Sequence, residues 1–493
     1  MAGRGKPQLP DHHRTAHKIF GEIWDAFGGQ AEWCGRIEFE GKGAVSSGLP
    51  ITDFAAAVIG VAGTAAAELV ATTGSAPAHV NVDRILSSGW FHLPDPSKLL
   101  TKQPHHAVDW TWLSEFETRD GRFLRVQAAF PTLRKRVIAA LGVGEDVDQV
   151  AAAVREQDGD AVEALLVEAG AAAAVNRTVE EWLAHPAGAA VHAEPMVHFD
   201  YADALVQSSW APTPGRPLAG IRVLDMTRVI AGPTGTRFLA ALGAEVLRLD
   251  EPGSDESSGQ MGQGNEFMVG KRWALLDIRT PEGKQRFLDL LARTDILIHG
   301  YRPGGIDALV SQAERFQAKP DLIEVAYRAY GWTGPWAMRR GFDTIVQWST
   351  GICNANQAWG LERPDRRLPL TAIGRKLDAS RPRHMPVEAL DFGTAYQIAA
   401  AALRGLTRRV QTGRGSVSRL SLARTASILL NQERAPDAAE IELPLEGPWE
   451  DRVYVGAKGP AKRLQFPVTI QGNPLFWERP TEPAGASSPV WAS

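Results

Sequence analysis

The sequence predicts an α/β fold, and three observations predict it. A buried strand, a small-residue turn, a helix and a second buried strand succeed one another between Ile221 and Leu249, the order of a parallel βαβ unit. Ala-rich helical runs lie on either side of that unit, and apolar residues make up 44% of a 493-residue chain, enough for two or three domains around a large core.

The βαβ unit reads as a strand over Ile221 to Met226, a turn at Ala231, Gly232 and Pro233, a helix ending at Gly243, and a strand from Glu245 to Leu249. Free backbone N–H groups at a helix start attract phosphate, and small turn residues allow close approach, so the unit is a candidate nucleotide site. The turn is not G-x-G-x-x-G. Gly270-Lys271-Arg272 does not complete a P-loop either, because Asn265 and Arg272 stand where Gly and Ser or Thr are required. NAD and ATP are both disfavoured.

Residues 1–14 are polar and predict a loose tail. Ile19, Phe20, Ile23, Trp24 and Phe27 follow helical spacing, which predicts a helix over Thr15 to Phe27. Further on, Leu49-Pro50-Ile51-Thr52-Asp53-Phe54-Ala55, an Ala-rich helix and TTGSAPAHVNVDR parallel the stretch from Met385 through Asp391-Phe392-Gly393 to QTGRGSVSRLSL. One supersecondary unit therefore occurs twice. The Pro- and Ser-containing segment 208–217 reads as a linker between an N-terminal region, 15–207, and a domain over 218–435. Residues 436–493 form a C-terminal extension ending in a segment without periodicity, expected to be an extended tail.

Charge excludes some partners. With 53 basic and 57 acidic side chains the net charge is −4, which favours neither nucleic acid nor an anionic membrane. Cys34 and Cys353 cannot build a disulfide framework, the first residues lack the apolar core of a signal peptide, and the apolar run Phe54 to Ala67 is too short to span a bilayer. A cytoplasmic protein is expected. His12 and His13, and His105 and His106, are adjacent pairs whose side chains diverge on any regular element, so no metal site is expected.

Asp391 directly precedes an Ala-rich helical run, where the helix dipole favours its ionised form. It is a candidate nucleophile, and also a candidate helix N-cap. Asp53 shares the local pattern but lacks a nucleotide block before it, and reads as a cap or relic.

Five blocks carry a resemblance: LDMTRVIAGP, the GKR to LLDIRTPEG run, YRPG from Tyr301 to Gly304, AYGWTGPWAMRRGFD from Ala329 to Asp343, and MPVEALDFGTAYQIAAAAL from Met385. In this wording and order the chain resembles the family III CoA-transferases, the group that includes formyl-CoA transferase, carnitine CoA-transferase and the α-methylacyl-CoA racemases. The resemblance implies a Rossmann-like CoA-binding domain plus a small α+β domain, permuted or partly duplicated, since DGRFLRVQAAFPTLRKRVIAALGV and VNRTVEEWLAHPAGAAVHAEPMV resemble family segments that ordinarily follow the aspartate. It implies acyl-CoA and a carboxylic acid as substrates, no metal, and a homodimer, interlocked or not. Asp391 matches the family's catalytic aspartate. Coenzyme A contacts fall on Thr227, Arg228, Val229, Ile230 and Ala231, on Lys271 and Arg272, and on Tyr301 and Arg302, with solvated loop cations as the other reading of Arg272 and Arg302. Phe342 stands where the racemase branch has a proton-exchanging histidine, which weakens an acyl-CoA epimerase. A CoA-thioester binder without catalysis is the third reading.

Overall fold

The computed structural model describes residues 13–92, 97–101, 112–207, 209–254, 264–302, 304–363, 381–434, 439–456 and 459–492. Of the tail expected over 1–14, residues 1–12, including His12, lie outside the described residues, as do His105 and His106, and Arg14 already begins the helix Arg14–Ala26.

The βαβ unit forms nearly as read. Its strands belong to a sheet of seven: β1 His198–Tyr201, β2 Arg222–Met226, β3 Glu245–Asp250, β4 Lys271–Leu275, β5 Ile296–His299, β6 Ile323–Arg328 and β7 Ser416–Ser421. In space they run β4-β3-β2-β5-β6-β7-β1, with β1 antiparallel to β7 and the rest parallel. Val223, Leu224, Ile296, Leu297 and Ile298 are fully buried, as strands covered on both faces require. The chain leaves β2 towards β3 on one side and reaches β5 on the other, so a crevice opens beyond the carboxyl ends of β2 and β5.

Residues expected as a turn are instead the first turn of the helix Ala231–Ala241, and the turn proper is 227–230. Pro233 fits there because the first helical N–H groups have no partner to lose. The aspartate helix, Ala389–Thr412, ends at Gly413 with φ +72, the left-handed cap that glycine accepts. A Cβ on Gly235 would lie 2.7 Å from the Ala395 carbonyl oxygen, and one on Gly393 would lie 2.4 Å from the Phe54 ring. Both glycines let helices approach closely.

Phe54 belongs to Ile51–Ala71, a 21-residue helix that is long and apolar enough to cross a membrane by length and composition. This corrects the shorter apolar run seen in the sequence. The helix is buried throughout almost its whole length, packed on the helices Arg14–Ala26 and Ala389–Thr412. Each copy of the sequence echo forms helix, strand and helix: Ile51–Ala71, Val80–Asp83 and Arg84–Trp90 in one, Ala389–Thr412, β7 and Leu422–Leu430 in the other.

Between the copies, strands Glu115–Glu117, Phe123–Val126 and Ala173–Val175 form an antiparallel sheet. The helices Pro131–Leu141, Val147–Arg155 and Gly159–Glu168 cover it around a separate core that includes Leu124, Val137, Val154 and Leu166.

The C-terminal end is no loose tail among its described residues. Val468–Ile470 pairs with Val80–Asp83, while the buried indoles of Trp477 and Trp491 donate to the carbonyl oxygens of Arg237 and Leu290, each at 2.9 Å. A periodicity test misses such a segment because two tryptophans anchor it without regular structure between them.

Candidate active site

The crevice at the ends of β2 and β5 widens into a cavity of about 500 Å³, and Asp391 forms part of its wall. Arg228, Val229 and Ala231 from the turn, Tyr301 and Arg302 after β5, Arg328 closing β6, and Arg339, Arg340 and Phe342 line it as well. A smaller recess of about 240 Å³ adjoins it, sharing Arg228 and Tyr301 and reaching Asp250 and Glu251.

The turn is held from beneath by Asp225. Its fully buried carboxylate accepts from the Thr227 N–H (3.0 Å), the Thr227 and Thr236 hydroxyls (2.6 Å each) and the Lys271 ammonium (2.9 Å). Burial alone would raise the Asp225 pKa, but Lys271 and Arg248 outweigh it and hold the group well below the usual carboxylate range. Burial likewise lowers Lys271 to about 8 against the pull of Asp225. Above this anchor Val229 sits at φ +65, the one left-handed non-glycine among the described residues, in the cavity wall. A β-branched residue there costs roughly 1–3 kcal/mol, which the anchored turn has to offset.

Four residues expected to contact CoA do not line the cavity. Thr227 is turned onto Asp225, and Ile230 packs into the core. Lys271 begins β4 at the opposite end of the sheet and sends its ammonium inward to Asp225 and the Pro233 carbonyl oxygen. Arg272 meets Glu245 and donates to the carbonyl oxygens of Val490 and Ser488. The sequence left Arg272 as a CoA contact or a solvated loop cation; it lies with Lys271 in a strand whose neighbours neutralise both cations.

Asp391 is the third residue of its helix and is 7% exposed. The capping role belongs to another residue: Asp343 Oδ2 accepts the N–H groups of Leu390 (2.8 Å) and Asp391 (2.9 Å). Gln347 donates to the other Asp343 oxygen and accepts the Met385 N–H at 2.8 Å. The Asp391 side chain is thus released from capping.

Its ionisation differs from the expectation drawn from the helix dipole. Burial pushes the Asp391 pKa well above the ordinary value, and the neighbouring carboxyls of Asp343 and Glu388 push it further. Asp343 is raised to about 6 by burial, against the N–H groups it accepts, and Glu388 to about 8 by burial and by Asp343. Desolvation and like charge outweigh the dipole in this wall. Tyr327 stands close by, its phenol pKa raised by burial and by Asp391. A Cβ on Gly300 would fall 2.5 Å from that phenol ring, so Gly300 makes room for it. Phe342 stacks on Phe130 of the small unit at 5.8 Å between ring centres.

Sequence reasoning missed Asp225, Asp343, Glu388, Tyr327 and Arg328. The available signals were the Asp of LDMT and the Asp closing RRGFD, both inside conspicuous blocks; Glu388 and Arg328 carried none.

Asp53 has the other fate. Also third in its helix and 3% exposed, it is gripped by the buried Arg84, whose Nε and Nη2 lie 2.9 and 2.6 Å from Oδ1. Among the described residues no group of three or more His, Cys, Asp or Glu is arranged to hold a metal.

Residues 218–445 match the family described as CoA-transferase family III. The chain is 37% identical over 158 residues to the acetyl-coenzyme A transferase nodX of Hypoxylon pulicicidum, covering 31% of this chain and 26% of that protein. It is 28% identical over 210 residues to the human succinyl-CoA:glutarate CoA-transferase, covering 41% and 44% respectively. The chain thus spans less than half the length of either relative. The crystal structure of Rv3272 from M. tuberculosis aligns at 28% identity with a TM-score of 0.36, covering 45% of this chain and 57% of that one.

Proposed function

Because residues 218–445 match CoA-transferase family III, we propose that this chain moves CoA from an acyl-CoA thioester to a free carboxylic acid, with Asp391 as the nucleophile. The observation that carries this reading is the Asp391 side chain, free of capping, in the wall of a cavity rich in arginine.

In this reading an Asp391 oxygen attacks the thioester carbonyl; the new C–O bond replaces the C–S bond, CoA leaves as thiolate, and an aspartyl acyl anhydride remains. The acceptor carboxylate attacks the aspartyl carbonyl and expels the donor acid. Return of the thiolate to the new acyl carbonyl releases the product thioester and restores Asp391. One thioester replaces another, so no external energy source enters. A carboxylate of raised basicity is the stronger nucleophile once ionised, which suits the burial of Asp391.

Arg228 and Arg302 would receive the phosphates of CoA, with Tyr301 against its apolar parts. The seven-stranded sheet is then a Rossmann-like CoA domain, and residues 15–207 contribute a displaced small domain whose Phe130 helps to close the cavity through Phe342. A cytoplasmic homodimer completes the reading.

The test is acyl transfer by the wild type and by Asp391→Asn, with hydroxylamine trapping after incubation with acyl-CoA. Loss of transfer and of the trapped adduct in the variant, with CoA affinity retained, is the expected result. Full transferase activity in Asp391→Asn would sink the mechanism.

A further inference from the structure

Arg328 closes β6 and lines the same cavity as Asp391. Its guanidinium lies 3.8 Å from the centre of the Trp332 ring. That ring is fixed in turn, because the indole N–H donates to the Leu420 carbonyl oxygen at 3.0 Å and the Trp332 backbone N–H to Glu194 at 2.8 Å. Arg419 approaches the same ring at 5.7 Å, but its charge is met by Asp200.

Arg328 has no such anion. It makes no hydrogen bond or ion pair with any described residue, and its Nε is buried without a partner. Burial pushes its pKa down, with Asp307 and Glu194 attracting it only from a distance. A guanidinium kept in one orientation by stacking, half withdrawn from water and facing a cavity, is a receptor for an oxyanion.

Direction decides which oxyanion. Successive strand side chains point to opposite faces; Tyr327 turns into the core shared with the aspartate helix and feels the Asp391 charge, so Arg328 points to the other face, where it stacks on Trp332. An acid undergoing exchange has to touch Asp391, whereas the phosphates of CoA are separated from its sulfur by the whole pantetheine arm. We propose that Arg328, oriented by Trp332, holds a phosphoryl group of the CoA thioester, an inference that rests on the CoA-transferase reading.

Calorimetric titration with CoA, 3′-dephospho-CoA and an S-acyl pantetheine tests it on the full chain. Arg328→Gln is expected to weaken CoA binding roughly tenfold to a hundredfold, the loss of a charge-assisted phosphate contact, while leaving the phosphate-free pantetheine thioester unaffected. Arg328→Lys, which keeps the charge without the fork, should fall between, and Arg419→Gln should bind like the wild type. An Arg328→Gln defect that persists with dephospho-CoA assigns the diphosphate, and one that disappears assigns the 3′-phosphate; both support the proposal. Equal CoA affinity in wild type and Arg328→Gln, or a defect confined to the KM of the acid, overturns it while the transferase reading stands. A wild type that does not bind CoA removes both.

Discussion

Asp343 caps the helix that carries Asp391: its Oδ2 accepts the Asp391 backbone N–H at 2.9 Å, while the two carboxyl groups repel each other's charge. One residue thus fixes the position of Asp391 and opposes its ionisation.

These two effects separate in substitutions of Asp343. Asp343→Asn retains an accepting oxygen but removes the charge, so the acid limb of the pH–rate profile should move to lower pH at similar stability. Asp343→Ala removes the cap and should cost about 0.5–2 kcal/mol, read by chemical denaturation. An acid limb that stays in place in the Asn variant would show that Asp343 does not tune Asp391.

Glu388 makes stability depend on pH. Its folded pKa of about 8 lies above its unfolded value, so its contribution is present at low pH and is lost as pH rises through 8. The melting temperature should therefore fall between about pH 4.5 and 8 and level off above that, and Glu388→Gln should flatten the slope. Because a charge beside Asp391 is also removed, the variant's acid limb should shift downward. An unchanged melting profile would place the Glu388 carboxyl in solvent.

Arg272 and Arg302 are expected to part company. Arg302→Ala should weaken CoA binding, since Arg302 lines the cavity, whereas Arg272→Ala should not, since Arg272 is engaged by Glu245 and the C-terminal carbonyls. Calorimetry on both decides it; a CoA defect in Arg272→Ala would return that arginine to the nucleotide.

The Arg84–Asp53 pair predicts a structural role. Arg84→Ala removes the buried guanidinium that grips the Asp53 carboxylate and should cost about 3–5 kcal/mol, while Asp53→Asn should leave turnover within a few-fold. Hydroxylamine should trap no adduct on Asp53. Loss of turnover in Asp53→Asn as complete as in Asp391→Asn would make it a second nucleophile.

Trp491→Ala should destabilise the protein by about 3–5 kcal/mol, because the indole fills a buried site beside Leu290 and Leu291. Denaturation by urea reads this directly, and an unchanged midpoint would restore the loose-tail reading.

Much of this was legible in the sequence. Strands covered on both faces must be apolar throughout, so the run from Ile221 to Leu249 announced itself, and Asp391 stood inside a block with a recognisable order. The partners of these residues were hidden. Asp343 is 48 residues from the N–H it caps, and no local pattern connects a carboxylate with a helix start at that separation. Lys271 was expected at CoA, but its long side chain at a strand's beginning reaches inward to Asp225, a fact of packing and not of spacing. The dipole argument for Asp391 was sound for an exposed helix end and failed because burial and two further carboxyls act there together.

The pairing of β1 with β7 joins the oldest strand of the sheet to its youngest. Asp200 and Arg419, which meet across that pair, are 219 residues apart. On the ribosome the β1 segment emerges first and must wait, unpaired, until the parallel strands have assembled and β7 has appeared beside them. Closure of the sheet is then a late, long-range event with a large loop-closure cost, which favours slow folding and leaves β7 as an open, aggregation-prone edge in any nascent or clipped chain that has lost β1.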